Sequence, residues 1–394
     1  MKILQIEKVF KSFDLDFKKI FIFIFLLAVG LFTVNYKGYG DDLDQAGLIK
    51  TYISIVEEGI YIPSRYYGHL FAEIFIGFFS YNFGAKIIVG LSYIFFIFSI
   101  IFFGNFFLIN KQKKILLILL CISNPVLFLD NTNPSDAPLS LFLFSLGLIY
   151  AKKRFILSSV IFALCIATRP NYALFIIIFF IIFIFNKNNR LFILNCFLIT
   201  SLISLLFFLP VLIQNKFNYL IFLNSGGPPL IFFELFPRFI YKVFLSFGCF
   251  SFFVLFFYFF LLKKNYKINN NIFFLLVLVF FNLIIFFFIP TKTSIISMSV
   301  IFTYIFFINY LANKKFLYYL LFFNFLFYFI SINFLDIKYK NQKESCSQIH
   351  ATSAQFSFSI SKGYFFLRDE FKNKMQSCSN SQNYINGKKM KFGF

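Results

Sequence analysis

The chain has 394 residues, 60% of them hydrophobic and 72 of them Phe, with only 13% charged, which no water-soluble globular protein of this length could hide in one core. The formal net charge is +21, but Lys and Arg fall in short clusters between apolar runs and in the terminal tails, a pattern that sets membrane topology. No motif or basic aromatic face supports nucleic acid as a partner, so the composition reads as an all-α, polytopic membrane protein in a lipid bilayer.

The segment before residue 20 carries Lys2, Lys8, Lys11, Lys18 and Lys19, which places the amino terminus in the cytoplasm by the positive-inside bias. The first apolar run, about 20–34, lacks a small-residue cleavage site and reads as a span and not as a removed signal peptide. It delivers the long polar interval 35–73, which holds six of the sixteen acids, to the outside. Further spans are expected over 86–109, 115–129, 138–150, 155–168, 173–185, 191–213, 241–262, 272–289, 295–311 and 316–335. Several have only 13 to 16 apolar residues, short of the twenty or so that cross a bilayer, and these reach part way or continue into polar residues facing the interior.

The count is about eleven spans, with basic residues at the inside turns and nearly all acids at the outside ones. Residues 1–335 form the transmembrane domain, with the first outside loop at 36–85. Residues 336–394 form a polar, basic tail placed outside. The Phe excess reads as a composition bias, with Phe replacing Leu at lipid-facing positions.

Cys346 and Cys378 are the two cysteines outside the expected spans, and an oxidising compartment would allow a disulfide whose formation the sequence leaves open. Cys121, Cys165, Cys196 and Cys249 lie in apolar context and read as small buried hydrophobes. No Cys/His metal spacing occurs, and His69 and His350 are the only histidines. No fixed-period repeat is visible, and the halves lack the matched broken helices of inverted-repeat transporters.

Chemistry concentrates in the first outside loop. Asp41 and Asp42 follow the first span, with Asp44 two residues on. Carboxylates facing a partly dry cavity gain basicity, which suits a general base acting on a hydroxyl. The competing reading is a solvated turn or an N-cap for a helix over 43–58. That helix presents Leu48, Ile49, Tyr52, Ile53 and Val56 on one face and is expected to lie in the interface plane.

The stretch YIPSRYYGHLFAE follows, with Gly68 permitting a turn before a second apolar helix. Arg65 can bind two phosphate oxygens through its planar fork, or pair with Glu73 or Asp44. Asp136 in NPSDAPL and Arg169 in ATRPNY stand at outside ends of spans. Ionisable residues at that depth are costly and are functional candidates by default, although Asp136 also suits an N-cap for a helix starting at Ala137. A second outside loop offers Glu234 and Arg238.

GDDLDQ, YIPSRYYGHLFAE, NPSDAPL and ATRPNY, taken in that order over 36–172, resemble the GT-C type of polytopic glycosyltransferases, which includes protein O-mannosyltransferases and lipid A aminoarabinose transferases. The resemblance implies a polyprenyl-phosphate sugar as donor and a lipid, glycan or protein as acceptor. It implies inverting displacement on the outer side of a cell (inner) membrane. Asp42 or Asp41 would be the base, Asp136 would position acceptor or sugar, and Arg65, Arg169 and Arg238 would hold the donor phosphate. Asp44, Tyr66, His69 and Glu73 are further candidates in the same stretch. It names no organic cofactor and no metal ligands, leaving a divalent metal open. A transporter or flippase of lipid-linked glycans is the alternative, and it would need acids and arginines inside the spans and not at their ends.

Overall fold

The computed structural model describes residues 43–65, 68–83, 85–108, 110–131, 135–151, 154–184, 190–217, 236, 239–240, 242–244, 246–248, 270–288, 293–310 and 314–326, together with four short strands in the tail. The chain divides into two units, Met1–Tyr36 and Lys37–Phe394, and every described residue belongs to the second.

Helix α1 (Leu43–Glu58) closes on a glycine that sequence alone would choose. Gly59 adopts φ +68°, the left-handed conformation that ends helices, and the Ile60 amide beyond it donates to the Ser54 carbonyl at 3.2 Å. Leu48, Ile49 and Ile53 are buried, whereas Val56 is 52% exposed, so the inward face also takes in Thr51 and Ser54 and leaves Val56 out. Helices α2 (Leu70–Phe83) and α3 (Ala85–Phe107) follow. The run expected over 115–129 is broken in two, α4 (Lys111–Ser123) and α5 (Pro125–Asp130). Asn124 leaves the helix with φ −85° and ψ 109°, as a residue before proline prefers. Its Oδ1 accepts from the Leu127 amide at 3.0 Å, and Pro125 takes the first helical position, where a missing N–H costs nothing.

Then come α6 (Asp136–Ala151), α7 (Phe155–Thr168), α8 (Tyr172–Ile184) and α9 (Arg190–Gln214), within a residue or two of the expected spans. Helix α10 (Asn270–Phe288) and a 3₁₀ turn (Thr293–Ile296) lead into α11 (Ser297–Tyr310), and α12 (Lys314–Leu326) follows. Every described element to this point is helical. In the tail, β1 (Phe356–Ser359) pairs antiparallel with β2 (Gly363–Leu367), and β3 (Tyr384–Ile385) with β4 (Lys388–Lys389), two small hairpins that the tail's polar composition did not announce.

Among the described residues, two stretches, Ile87–Phe107 and Arg190–Gln214, are long and apolar enough to cross a membrane, at 21 and 25 residues with mean hydropathy 2.5 and 2.6. Six other apolar helices have 10–17 residues. The most extensive packing joins α6 to α7, α6 to α3 and α7 to α9, so the α6–α7 hairpin is the centre of the described bundle.

Phenylalanines both face outward, as at Phe280 and Phe288, which are 58% and 67% exposed, and pack into this centre, an inward use that the reading of Phe as a lipid-facing bias left out. Phe103, Phe302, Phe107, Phe274, Phe179, Phe162 and Phe144 form a closed circuit of ring contacts, each to the next at 5.0–6.4 Å between centroids and the last back to Phe103. The circuit ties α3, α11, α10, α8, α7 and α6 together. Aromatic pairs of this kind, edge-to-face, tilted or stacked, add about 0.5–1.5 kcal/mol each beyond the area they bury.

A second device is uncharged and polar. Asn124 Nδ2 donates to Tyr304 Oη at 2.9 Å and to the Ser246 carbonyl at 2.7 Å. Asn131 Nδ2 donates to Ser297 Oγ at 3.0 Å, Asn324 Nδ2 to Tyr304 Oη at 2.9 Å and Asn282 Nδ2 to Ser299 Oγ at 2.8 Å. Asn124 and Asn131 are two helical turns apart, as are Tyr304 and Ser297 on α11, so the two rungs form an antiparallel ladder. Cys121, Cys165 and Cys196 are buried free thiols, as expected; Cys249, Cys346 and Cys378 lie outside the described residues.

A Cβ on Gly147 of α6 would lie 2.4 Å from the Phe162 ring of α7. Gly147→Ala should therefore lower the unfolding midpoint of the purified protein, at a cost of about 1–3 kcal/mol for overpacking. Gly90→Ala, where nothing lies within 4 Å, should leave that midpoint unchanged or slightly raised.

Candidate functional site

The end of α7 is written in ATRPNY. Pro170 disfavours helical backbone at Arg169, which takes φ −150° and ψ 103° while its amide still donates to the Cys165 carbonyl. The chain then turns, with the Tyr172 amide donating to the Arg169 carbonyl at 3.0 Å and the Ala173 amide to that of Pro170 at 2.9 Å. Carbonyls in the last turn of a helix have no partner within it. That of Thr168 accepts from His69 Nδ1 at 2.6 Å.

At the other strand of the hairpin, Asp136 is the first residue of α6, with Pro138 in the first turn where the ring is tolerated. Ser135 Oγ faces the Ala137 amide at 3.4 Å. The Asp136 side chain turns instead toward α7, so the expected alternative of an N-cap is not its role.

The loop between α1 and α2 brings the third component, and three elements brace it. Thr51 Oγ1 donates to the Ile62 carbonyl at 2.7 Å, and Gln214 Nε2 on α9 donates to that of Tyr61 at 2.7 Å. Glu73, fully buried on α2, accepts from Tyr61 Oη at 2.8 Å on one oxygen and from the Ser64 amide and hydroxyl on the other. Burial, then the Glu73 charge and hydrogen bond, raises the Tyr61 hydroxyl's pKa far above the ordinary tyrosine range, so it stays a donor. Gly68 has φ +66°, its amide donates to the Arg65 carbonyl at 2.9 Å, and a Cβ there would come within 2.7 Å of Tyr61 Oη and Val211. Glycine alone fits on both counts.

These pieces meet around one oxygen. Asp136 Oδ2 lies 3.4 Å from Arg169 Nε, 3.4 Å from His69 Nδ1 and 3.9 Å from Arg65 Nη1. These are ion-pair distances, and no hydrogen bond of ordinary geometry reaches that oxygen among the described residues. Side-chain exposure is 5% for Asp136, 9% for Arg169, 1% for His69 and 20% for Arg65. Arg65 Nη1 donates to His69 Nε2 at 3.1 Å. Burial raises the Asp136 pKa, but the charges of Arg169 and Arg65 and the contact with His69 outweigh it and hold the carboxyl well below its usual range. Two guanidiniums thus face one carboxylate, with Arg65 the more accessible arm.

Of the sequence candidates, Arg65, His69, Asp136 and Arg169 come together in this cluster. Glu73 stands beside it as the pin of the loop, and its carboxylate oxygens go to Tyr61 and Ser64 and not to Arg65, one of the two partners that the sequence allowed. The α1 helix holds Asp44 in its first turn, and Asp41, Asp42, Tyr66, Glu234 and Arg238 lie outside the described residues. Among the described residues no group of three or more His, Cys, Asp or Glu could hold a metal ion. Tyr61, Ser64, Thr168 and Gln214 are additions that sequence reading did not supply. The terminal carbonyl forced by Thr-Arg-Pro was the one signal that called for a donor there. Comparison with family models, curated proteins and solved structures gave no match.

Asp136→Asn leaves the buried Arg169 and the partly exposed Arg65 with a neutral partner and should destabilise the purified protein by about 3–5 kcal/mol, the usual effect of breaking a buried pair. The pH dependence has a definite sign. A depressed carboxyl stabilises above its unfolded pKa, about 3.9, and the stabilisation is lost as pH falls through the folded value. Thermal midpoints of the parent protein should therefore hold this contribution from neutral pH to the low fours and lose it below, and Asp136→Asn should flatten that acid limb.

Proposed function

We propose that this chain is a membrane glycosyltransferase that takes a sugar from a polyprenyl-phosphate donor and passes it to a lipid, glycan or protein hydroxyl on the outer side of the cell membrane. One observation carries the reading. A buried carboxylate is shared by two arginines drawn from separate segments, Arg65 from the loop and Arg169 from the end of α7, at distances of 3.9 and 3.4 Å. Such a site is built to hold a phosphate and to stabilise the negative charge it gains on departure.

In this scheme the acceptor hydroxyl oxygen attacks the anomeric carbon as the bond from that carbon to the phosphate oxygen breaks. The hydroxyl proton passes to Asp42 or its neighbour Asp41, the electron pair leaves with the polyprenyl phosphate, and the anomeric configuration inverts. Asp136 orients the two guanidiniums and contacts acceptor or sugar. The topology that goes with this has about eleven spans, the amino terminus in the cytoplasm and the tail outside. Supporting it are the two helices of crossing length and the exposed apolar surface of α9, where Leu191, Leu202 and Leu206 are 78%, 67% and 65% exposed.

Transfer assayed in membranes should fall by roughly 10²–10⁴-fold in whichever of Asp41→Asn and Asp42→Asn removes the base. If both variants accumulate normally and both transfer at the parent rate, the assignment of the base is wrong. Mass spectrometry of surface glycans and lipids with and without the gene should show one missing sugar. An unchanged sugar composition with carrier-linked glycan stalled inside would identify a flippase instead.

A further inference from the structure

His69 has so far appeared only as a neighbour of the cluster. Its two ring nitrogens face partners whose chemistry leaves no choice of role. A backbone carbonyl can only accept, so Nδ1, 2.6 Å from the Thr168 oxygen, carries the proton. A guanidinium can only donate, so Nε2, 3.1 Å from Arg65 Nη1, offers its lone pair. The ring is 1% exposed and sits one residue before α2, whose amide at Glu73 donates to the His69 carbonyl at 2.8 Å. It is therefore fixed at its backbone by α2 and at Nδ1 by the end of α7.

Arg65 is held less firmly by Asp136 than Arg169 is. Its Nη1 lies 3.9 Å from Asp136 Oδ2, against 3.4 Å for Arg169 Nε, and its side chain is the most exposed of the four. Its contact with His69 Nε2, at 3.1 Å, is closer than the one with Asp136. We infer that His69 is a positioning residue: its Nε2 lone pair aims the Arg65 guanidinium into the cluster, and the bond to Thr168 serves to hold the ring in the tautomer that keeps this lone pair available. Among the charged groups near the ring are Arg65 from the loop, Asp136 from α6 and Arg169 beside Thr168 at the end of α7, with Glu73 one turn further along α2. The inference rests on the proposed reading only for why an aimed Arg65 matters; the aiming itself stands on the hydrogen bonds.

Two isosteric substitutions separate the ring's two tasks. In His69→Gln the amide oxygen reaches the place of Nε2 and keeps an acceptor for Arg65. In His69→Asn the amide nitrogen takes the place of Nδ1 and keeps the donor to Thr168. The test is the rate at which phenylglyoxal, an arginine-selective dicarbonyl, modifies Arg65 in the full-length protein in nanodiscs, read by peptide mass spectrometry. Arg169 in the same sample serves as the internal reference.

Relative to Arg169, modification of Arg65 should rise roughly fivefold in His69→Asn and in His69→Ala, the population change that follows loss of one hydrogen bond, and should stay near the parent rate in His69→Gln. The reverse order, with Asn like the parent and Gln raised, would make the Thr168 bond the reason for the histidine and overturn the inference. Equal rates in all three variants would overturn it as well. If His69→Asn does not accumulate, Gln against Ala decides the same point, and equal rates in that pair sink the idea. None of these rates depends on sugar transfer. A labelling pattern as expected, in a protein whose Arg65→Ala variant transfers sugar normally, would leave the positioning intact and remove the proposed function.

Discussion

A carboxylate buried between two guanidiniums constrains everything near it. Taking Asp136 out of water costs several kcal/mol even after relaxation, and only the convergence of Arg65, His69 and Arg169 on its Oδ2 offsets that. For the charges to meet, α6 must begin where α7 ends, the chain must turn at Pro170, and the loop before α2 must fold back over the hairpin. Glu73, Gly68 and Gln214 each serve that last requirement. The loop is thus specified by a buried network of its own beside the one it completes, and both are satisfied mainly by groups from other segments.

The remainder of the described bundle meets the same problem with neutral groups. Asn124, Asn131, Asn282 and Asn324 each donate to a hydroxyl of α11. An amide facing lipid would be left unsatisfied, so each such pair favours one helix neighbour over another. The phenylalanine circuit supplies bulk contact where these pairs supply direction. The charged cluster itself stands at the hairpin's mouth, where α6 begins and α7 ends.

Helix positions were legible in the sequence because apolar run length and basic punctuation are local signals; α6, α7, α8 and α9 fall where those signals put them. The capping chemistry was legible too, at Gly59 and before Pro170. The convergence of Arg65, Asp136 and Arg169 could be suspected from their shared place at the outside ends of spans. What stayed hidden was pairing. Nothing in YIPSRYYGHLFAE says that Glu73 takes Tyr61 and Ser64 while Arg65 turns to His69, because the choice depends on Thr168, 99 residues away from His69. The break at Asn124 was masked by the unbroken apolar character around it, and the inward use of Phe could not be told from an outward one by composition.

Gly147 and Phe162 acquire a different meaning once the site is in view. The ring of Phe162 fills the space where a Cβ on Gly147 would stand, and Gly147 lies eleven residues, three helical turns and roughly 16 Å, from Asp136 along α6. The same stretch of hairpin is tied by Ser158 Oγ donating to the Gly147 carbonyl at 2.9 Å. This contact is a detent: it indexes α6 against α7 to a single register, because a slip of one turn would put a side chain where the ring must go. The distance between Asp136 and Arg169 is therefore gauged from the middle of the hairpin, far from either charge, and the mouth inherits its geometry from the notch.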